Sequence, residues 1–198
     1  PDGRLYAVAR GEIFIYEGAT GTLLQNFQPS LGDQRYAVDA LAFSPDGTPY
    51  ALADGETLLR FSASWEPELL GEDIIYAVTR DSESSTSLAL DGSGFAYVLG
   101  TFNQSVFRYD REGTYLNRFG SQGEEKGQFT YAQNLAIDRY GRVVVADSAG
   151  ILLFDADGRF LRKFAIPGVA FDLAIDAQNR LWLATNHQRV LVYSLPAP

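Results

Sequence analysis

The chain has no cysteine, no methionine and a single histidine. Without thiols it can form no disulfide, no thiolate metal site and no cysteine nucleophile, and the redox compartment stays open. One imidazole is too few for a multi-histidine zinc site. No apolar run approaches the ~18 residues of a membrane-spanning helix, and no charged-then-apolar leader opens the sequence. Basic residues are outnumbered, 16 Lys and Arg against 25 Asp and Glu, for a net charge of −9; that sign disfavours binding to phosphate backbones. The start at Pro1-Asp2-Gly3, without an initiator Met and inside what proves to be a repeat, leads us to expect a piece of a longer protein. Long segments with apolar residues at helical spacing are also missing, which argues against an α/β crossover fold.

What is present is apolar and repetitive. With 46% hydrophobic and 13% aromatic residues in 198, the chain can bury roughly 70% of its unfolded surface. Leu41-Ala42-Phe43, Leu88-Ala89-Leu90-Asp91, Leu135-Ala136-Ile137-Asp138 and Leu173-Ala174-Ile175-Asp176 align with one another. Each leads into a turn, and Gly3, Gly47, Gly94, Gly141 and Asn179 mark the same turn position at spacings of 44, 47, 47 and 38 residues. Such a period suits a four-stranded repeat unit. Around these turns lie short runs rich in Val, Ile, Leu and Phe, bounded by Asp/Gly pairs: 142–147, 151–154 and 159–164 in the clearest copy. They read as strands. Four short antiparallel strands per unit, repeated radially, make a β-propeller. The fold class is therefore all-β, with about four and a half blades at approximately 1–28, 36–70, 85–119, 131–164 and 169–198. The first copy lacks its first strand and the last lacks its fourth. A single propeller domain, incomplete at both ends and part of a six-bladed ring, is expected, with five blades as the alternative.

The stretch 119–164 carries a family resemblance. It reads Phe119-Gly120-Ser121-Gln122-Gly123, then Gly127-Gln128-Phe129, Val144-Val145-Ala146-Asp147-Ser148 and Gly158-Arg159-Phe160-Leu161. This resembles an NHL-repeat propeller, and Asn186-His187 falls where the family's eponymous pair falls. The resemblance implies a platform that binds a ligand, a protein or RNA, while a minority of propeller relatives are metal-dependent enzymes. Fold alone does not choose among these.

In propellers, ligands bind around the central channel. The residues just before each Leu-Ala pair, Asp39, Thr86, Ser87, Gln133, Asn134 and Asp172, are the channel candidates for a small polar ligand. Gluconolactonase-type propellers hold a divalent metal through an inward Asn, Asp and Glu. Here only Asp39 falls on such a position, and Thr86 and Phe171 occupy the corresponding places. Streptogramin lyases rely on a catalytic His; His187 is the one candidate and, at a third-strand turn, is expected to be structural or solvated. Asp155-Ala156-Asp157-Gly158 has part of a calcium-loop pattern without its third oxygen ligand or distal Glu, and reads as a hairpin turn. No catalytic residue, metal or cofactor is assigned.

Charge is uneven. Between residues 46 and 91, ten acids face two bases, Arg60 and Arg80. This stretch contains the longest interblade connection, where Ile74, Ile75 and Tyr76 sit in an acidic frame as candidates for docking a partner or for packing as the lead-in to the next strand. The expected function is a non-catalytic binding module or scaffold within a larger, bacterial protein, extracellular or at the cell surface. It would recognise a protein partner or a small polar ligand, with no nucleic acid and no membrane span. The alternative is a metal-dependent hydrolase or lyase, gluconolactonase-like or streptogramin-lyase-like, using Asp39, Asn134 and Asp172.

Overall fold

The computed structural model describes residues 3–83, 86–187 and 189–197. The expected blade limits at 1, 85 and 198 lie outside the described residues. The chain divides into two compact units, Pro1–Thr86 and Ser87–Pro198.

The first unit opens with an antiparallel sheet of β1 (Arg4–Ala9), β2 (Glu12–Glu17) and β3 (Leu23–Phe27). A two-residue ladder, β4 (Ser30–Leu31) with β5 (Gln34–Arg35), precedes a four-stranded sheet of β6 (Val38–Phe43), β7 (Pro49–Ala53), β8 (Thr57–Phe61) and β9 (Pro67–Gly71). Ile13 and Ile15 of the first sheet pack against Ala51, Ala53, Leu59 and Phe61 of the second. Trp65 closes this core, meeting the rings of Tyr6, Phe27 and Phe61 at 5.5 to 5.7 Å. After β9, a single helical turn, α1 (Tyr76–Thr79), stands in the long connection.

The second unit has three sheets: β10 (Thr86–Leu90), β11 (Ala96–Gly100), β12 (Ser105–Tyr109) and β13 (Tyr115–Phe119); β14 (Ala132–Ile137), β15 (Val143–Asp147), β16 (Gly150–Phe154) and β17 (Phe160–Phe164); and β18 (Ala170–Ile175), β19 (Arg180–Thr185) and β20 (Arg189–Ser194). In every sheet the strands pair in chain order. The strands β11, β15 and β16 are buried on both faces, as their uninterrupted apolar runs demand, whereas β19 alternates exposed and buried residues. The two-residue period of a strand divides each run between two cores. Val143 and Val145 meet Tyr97 and Leu99 on one side, and Val144 and Ala146 meet Leu181 and Leu183 on the other.

The turn that ends each first strand explains the repeated Asp and Gly. Asp138 Oδ1 accepts the N–H groups of Tyr140 and Arg142, both at 2.9 Å, and Gly141 takes φ 75°, a left-handed conformation that glycine adopts without a steric penalty. Asn179 fills the same position at φ 62°, as Asn tolerates best among the other residues.

In the fifth sheet, Asp176 repeats the arrangement and adds bonds from the Arg180 guanidinium and Trp182 Nε1. Desolvation works to raise its pKa, but the hydrogen bonds from Trp182 and from the Arg180 backbone and side chain outweigh it and lower the group from 3.8 to about 2. The folded state thus favours the ionised form. Its stabilisation is complete above the unfolded pKa, near pH 4, and is lost as pH falls through about 2. Urea midpoints of the wild type and of Asp176→Asn are expected to differ at pH 6 and to converge toward about pH 2; a difference independent of pH would contradict this assignment.

Candidate functional site

The channel candidates lie where each first strand begins, and the backbone there is irregular. The register shifts between Val38 and Ala40, between Ala132 and Asn134, and between Ala170 and Asp172, so Asp39, Gln133 and Phe171 are bulge residues. A bulge re-aims one side chain relative to the next. The two residues of each candidate pair therefore have different tasks.

The second residue of each pair builds a ladder in the second unit. Ser87 Oγ donates to Asn134 Oδ1, and Asn134 Nδ2 donates to Asp172 Oδ1. Each rung is also tied to its own strand: Leu135 N–H donates to Asn134 Oδ1 at 2.7 Å, and Leu173 N–H to Asp172 Oδ1 at 2.8 Å. Three successive sheets thus bring Ser87, Asn134 and Asp172 into one hydrogen-bonded line, with Asp172 exposed at its end. At their bulges Gln133 is half-buried and Phe171 is 57% exposed, and at the aligned place Thr86 Oγ1 is buried without a hydrogen-bond partner among the described residues. In the first unit, Asp39 Oδ2 accepts the N–H of Gly55 at 2.7 Å, and the residue aligned with the ladder is Ala40.

The donor set does not fit a metal cage. Among the described residues no three His, Cys, Asp or Glu side chains converge. The Asn134 carbonyl oxygen already accepts two hydrogen bonds, as does Asp172 Oδ1.

Several motif residues turn out to be anchors. Asn186 and Val169 exchange two hydrogen bonds of 3.0 Å, holding the segment that leads into β18. Asp147 does the same through Tyr131 N–H at 2.8 Å, and Asp54 through Ala37 N–H at 3.1 Å. Asn186 and Asp54 thus share one position just past a second strand, level with Ser148, whereas the Asp of Val-Ala-Asp-Ser lies one residue earlier, at the end of β15, and fixes its incoming first strand from there. Gln104, buried at φ 47°, reaches Ala132 N–H at 2.8 Å and was not singled out from sequence; its one signal was a polar residue beside an apolar run. His187 is exposed, and a Cβ at Gly168 would lie 2.5 Å from its ring. The 155–158 segment is a turn, with Asp155 Oδ1 accepting from Asp157 and Arg159. It bolts the fourth sheet to the third: Arg108 pairs with Asp157 at 2.8 Å, and Tyr97 Oη donates to Ala156 O at 3.0 Å. Burial, followed by the nearby Asp91 carboxylate, pushes the Tyr97 phenol up, so it stays protonated as that donor.

In the long connection, Ile74 is 6% exposed and Ile75 is fully buried, whereas Tyr76 is 42% exposed, its ring 5.9 Å from the Arg80 guanidinium. The buried Glu56 carboxylate holds the segment by accepting N–H bonds from Ile75 at 3.1 Å and Tyr76 at 2.6 Å. Of the three docking candidates, Tyr76 alone is exposed. No helix among the described residues is long and apolar enough to cross a membrane.

No protein-family model and no curated protein matches the chain. Solved structures do. A gluconolactonase from Xanthomonas campestris is similar at 18% identity and a TM-score of 0.72, over 98% of this chain and 69% of that one. A calcium-binding regucalcin from Agrobacterium tumefaciens matches at 18% identity and 0.63, over 92% and 64%, and a luciferin-regenerating enzyme at 15% and 0.62, over 92% and 66%. At such identities the likeness speaks for the fold alone: the chain is a β-propeller of small antiparallel blade sheets.

Proposed function

We propose that the chain is a non-catalytic β-propeller of the NHL type, serving as a binding module within a larger protein, and that its channel-side ladder receives a small polar ligand. The observation that carries this reading is the line of Ser87, Asn134 and Asp172 across three sheets. It combines a hydroxyl, a carboxamide and an exposed carboxylate, a set suited to a ligand with several hydroxyl or amino donors. The gluconolactonase and the luciferin-regenerating enzyme among the structural neighbours support the enzymatic alternative, a metal-dependent hydrolase or lyase. The Oδ1 atoms of Asn134 and Asp172, each already accepting two hydrogen bonds, weigh against it.

The test is a pair of measurements. Thermal shift with glucose and gluconate as probes is expected to raise the Tm of the wild type and not of Asn134→Leu. Gluconolactone incubated with calcium, magnesium or zinc is expected to open no faster than without protein. Metal-dependent opening that disappears in Asp39→Ala would overturn the binding-module reading.

A further inference from the structure

Across the third and fourth sheets and the segments that join them, two described large apolar side chains are more than half exposed, Phe102 at 68% and Tyr131 at 53%. Both stand at the end of the second unit where the first strands begin. Phe102 lies in the turn between β11 and β12, and Tyr131 immediately precedes β14. Gln104 joins the two places: it shares the turn with Phe102, and its Oε1 accepts Ala132 N–H at 2.8 Å.

Neither ring is exposed because its backbone is unsupported. The turn is fixed by Gln104, whose buried side chain is spent on that bond and whose φ of 47° is one that few non-glycine residues adopt. Tyr131 is gripped on both sides, its N–H donating to Asp147 Oδ2 at 2.8 Å and its carbonyl accepting Ser148 N–H at 3.0 Å. A rigid frame that holds aromatic rings out to solvent is preorganised for contact with a ligand.

Polar groups begin beside Tyr131. Gln133, the bulge residue of β14, is half-buried, and its carboxamide has no hydrogen-bond partner among the described residues. Asn134 Nδ2 carries two N–H donors, of which Asp172 takes one. Asp147 is fully buried and gives its oxygens to Tyr131 and Ala149. The groups on offer are therefore uncharged: two rings, a complete carboxamide and a further amide N–H.

We infer that this end of the second unit is a platform for a neutral oligosaccharide, with one sugar ring at Gln133 and Asn134 and the following rings stacked on Tyr131 and Phe102. The inference rests on the reading of the channel-side ladder as a ligand site and names the class of its ligand. A sugar ring has an apolar C–H face and a rim of hydroxyls. Aromatic rings take the face. A carboxamide takes two neighbouring hydroxyls, one as donor and one as acceptor, because each hydroxyl can do either. An ammonium group only donates and would leave the N–H groups of Gln133 and Asn134 unpaired, at a cost once they are covered. A phosphate or carboxylate would find no cation in this set. Phe102 and Tyr131 belong to neighbouring sheets, and packed sheets stand about 10 Å apart, more than one sugar ring covers; a chain of rings is the fitting occupant.

Isothermal titration of the 198-residue chain with glucose, cellotetraose, maltotetraose, mannotetraose and chitotetraose tests this. At least one tetrasaccharide is expected to bind about tenfold or more tighter than glucose, with its ring C–H proton signals moved upfield by the aromatic rings. Phe102→Ala and Tyr131→Ala should each weaken that tetrasaccharide about tenfold and leave glucose within about twofold, whereas Asn134→Leu should weaken both sugars. Phe102→Ala should keep the wild-type Tm, so that its loss of binding is not unfolding. Tyr140→Ala, at the other end of β14 and 38% exposed, should change no affinity. If glucose binds and no tetrasaccharide exceeds it, or if both aromatic variants bind the tetrasaccharide as the wild type does, the platform is overturned while the ladder reading stands. If no sugar, glucose included, binds up to about 10 mM, both fall.

Discussion

Asp138→Ala is expected to destabilise the protein by about 3–5 kcal/mol, the range for breaking a buried ion pair from one side. The Asp138 side chain has no exposure and that of Arg142 is 9% exposed, with the two in contact at 2.6 Å. Removing the carboxylate strands a guanidinium in the core and also orphans the N–H groups of Tyr140 and Arg142. A loss of this size lowers Tm on the order of 10 °C for a chain of this length. The exposed pairs Arg60–Glu68 and Arg159–Asp155 are of a different kind and contribute at most about 1 kcal/mol each. Asp138→Ala combined with Arg142→Leu is expected to regain part of the loss, because the uncompensated charge goes with the side chain. Urea denaturation of the three proteins decides it: a single-variant loss below about 1 kcal/mol, or a double variant worse than the single, would mean the pair does not act as described.

The strands were legible because their physics is local. The runs 142–147, 151–154 and 159–164 read from sequence fall within one residue of β15, β16 and β17. The shared turn position was legible for the same reason, and Gly3, Gly47, Gly94, Gly141 and Asn179 all take positive φ. The channel candidates were only half legible. Alignment brought Ser87, Asn134 and Asp172 to equivalent positions, but the bulges at Gln133 and Phe171 depend on pairing with the next strand, which no single segment encodes. The connection at 74–78 was read as a docking surface or a strand lead-in, and neither reading included α1. Five apolar residues carry no period that distinguishes helix from strand. What settles the segment is Glu56, some twenty residues earlier, whose carboxylate collects the N–H groups at the helix start. The lead-in motif at 119–129 was recognised as a family mark, while its physical purpose became visible only in three dimensions.

That purpose predicts a second large effect: Phe129→Ala is expected to cost about 3–5 kcal/mol, as for other fully buried aromatic truncations. Phe129 has no exposed surface, and its ring meets Phe154 edge-on at 5.6 Å in the core between the third and fourth sheets. The glycine-rich loop exists to seat it. Phe129 N–H donates to Ser121 O at 2.8 Å, and Gly123 N–H returns to Phe129 O at 3.0 Å. Gly120, at φ 81°, lies so close to the ring that a Cβ there would sit 2.2 Å from it. Gly120→Ala should therefore destabilise as well, through both the backbone strain and the displaced ring. Because the two changes disturb the same contact, their effects should fall short of additive in the double variant. Phe102→Ala is the control: at 68% exposure it should change stability by no more than about 0.5 kcal/mol. If Phe129→Ala cost no more than that control, the loop would not be a plug for the core, and its glycines would need an explanation in recognition instead.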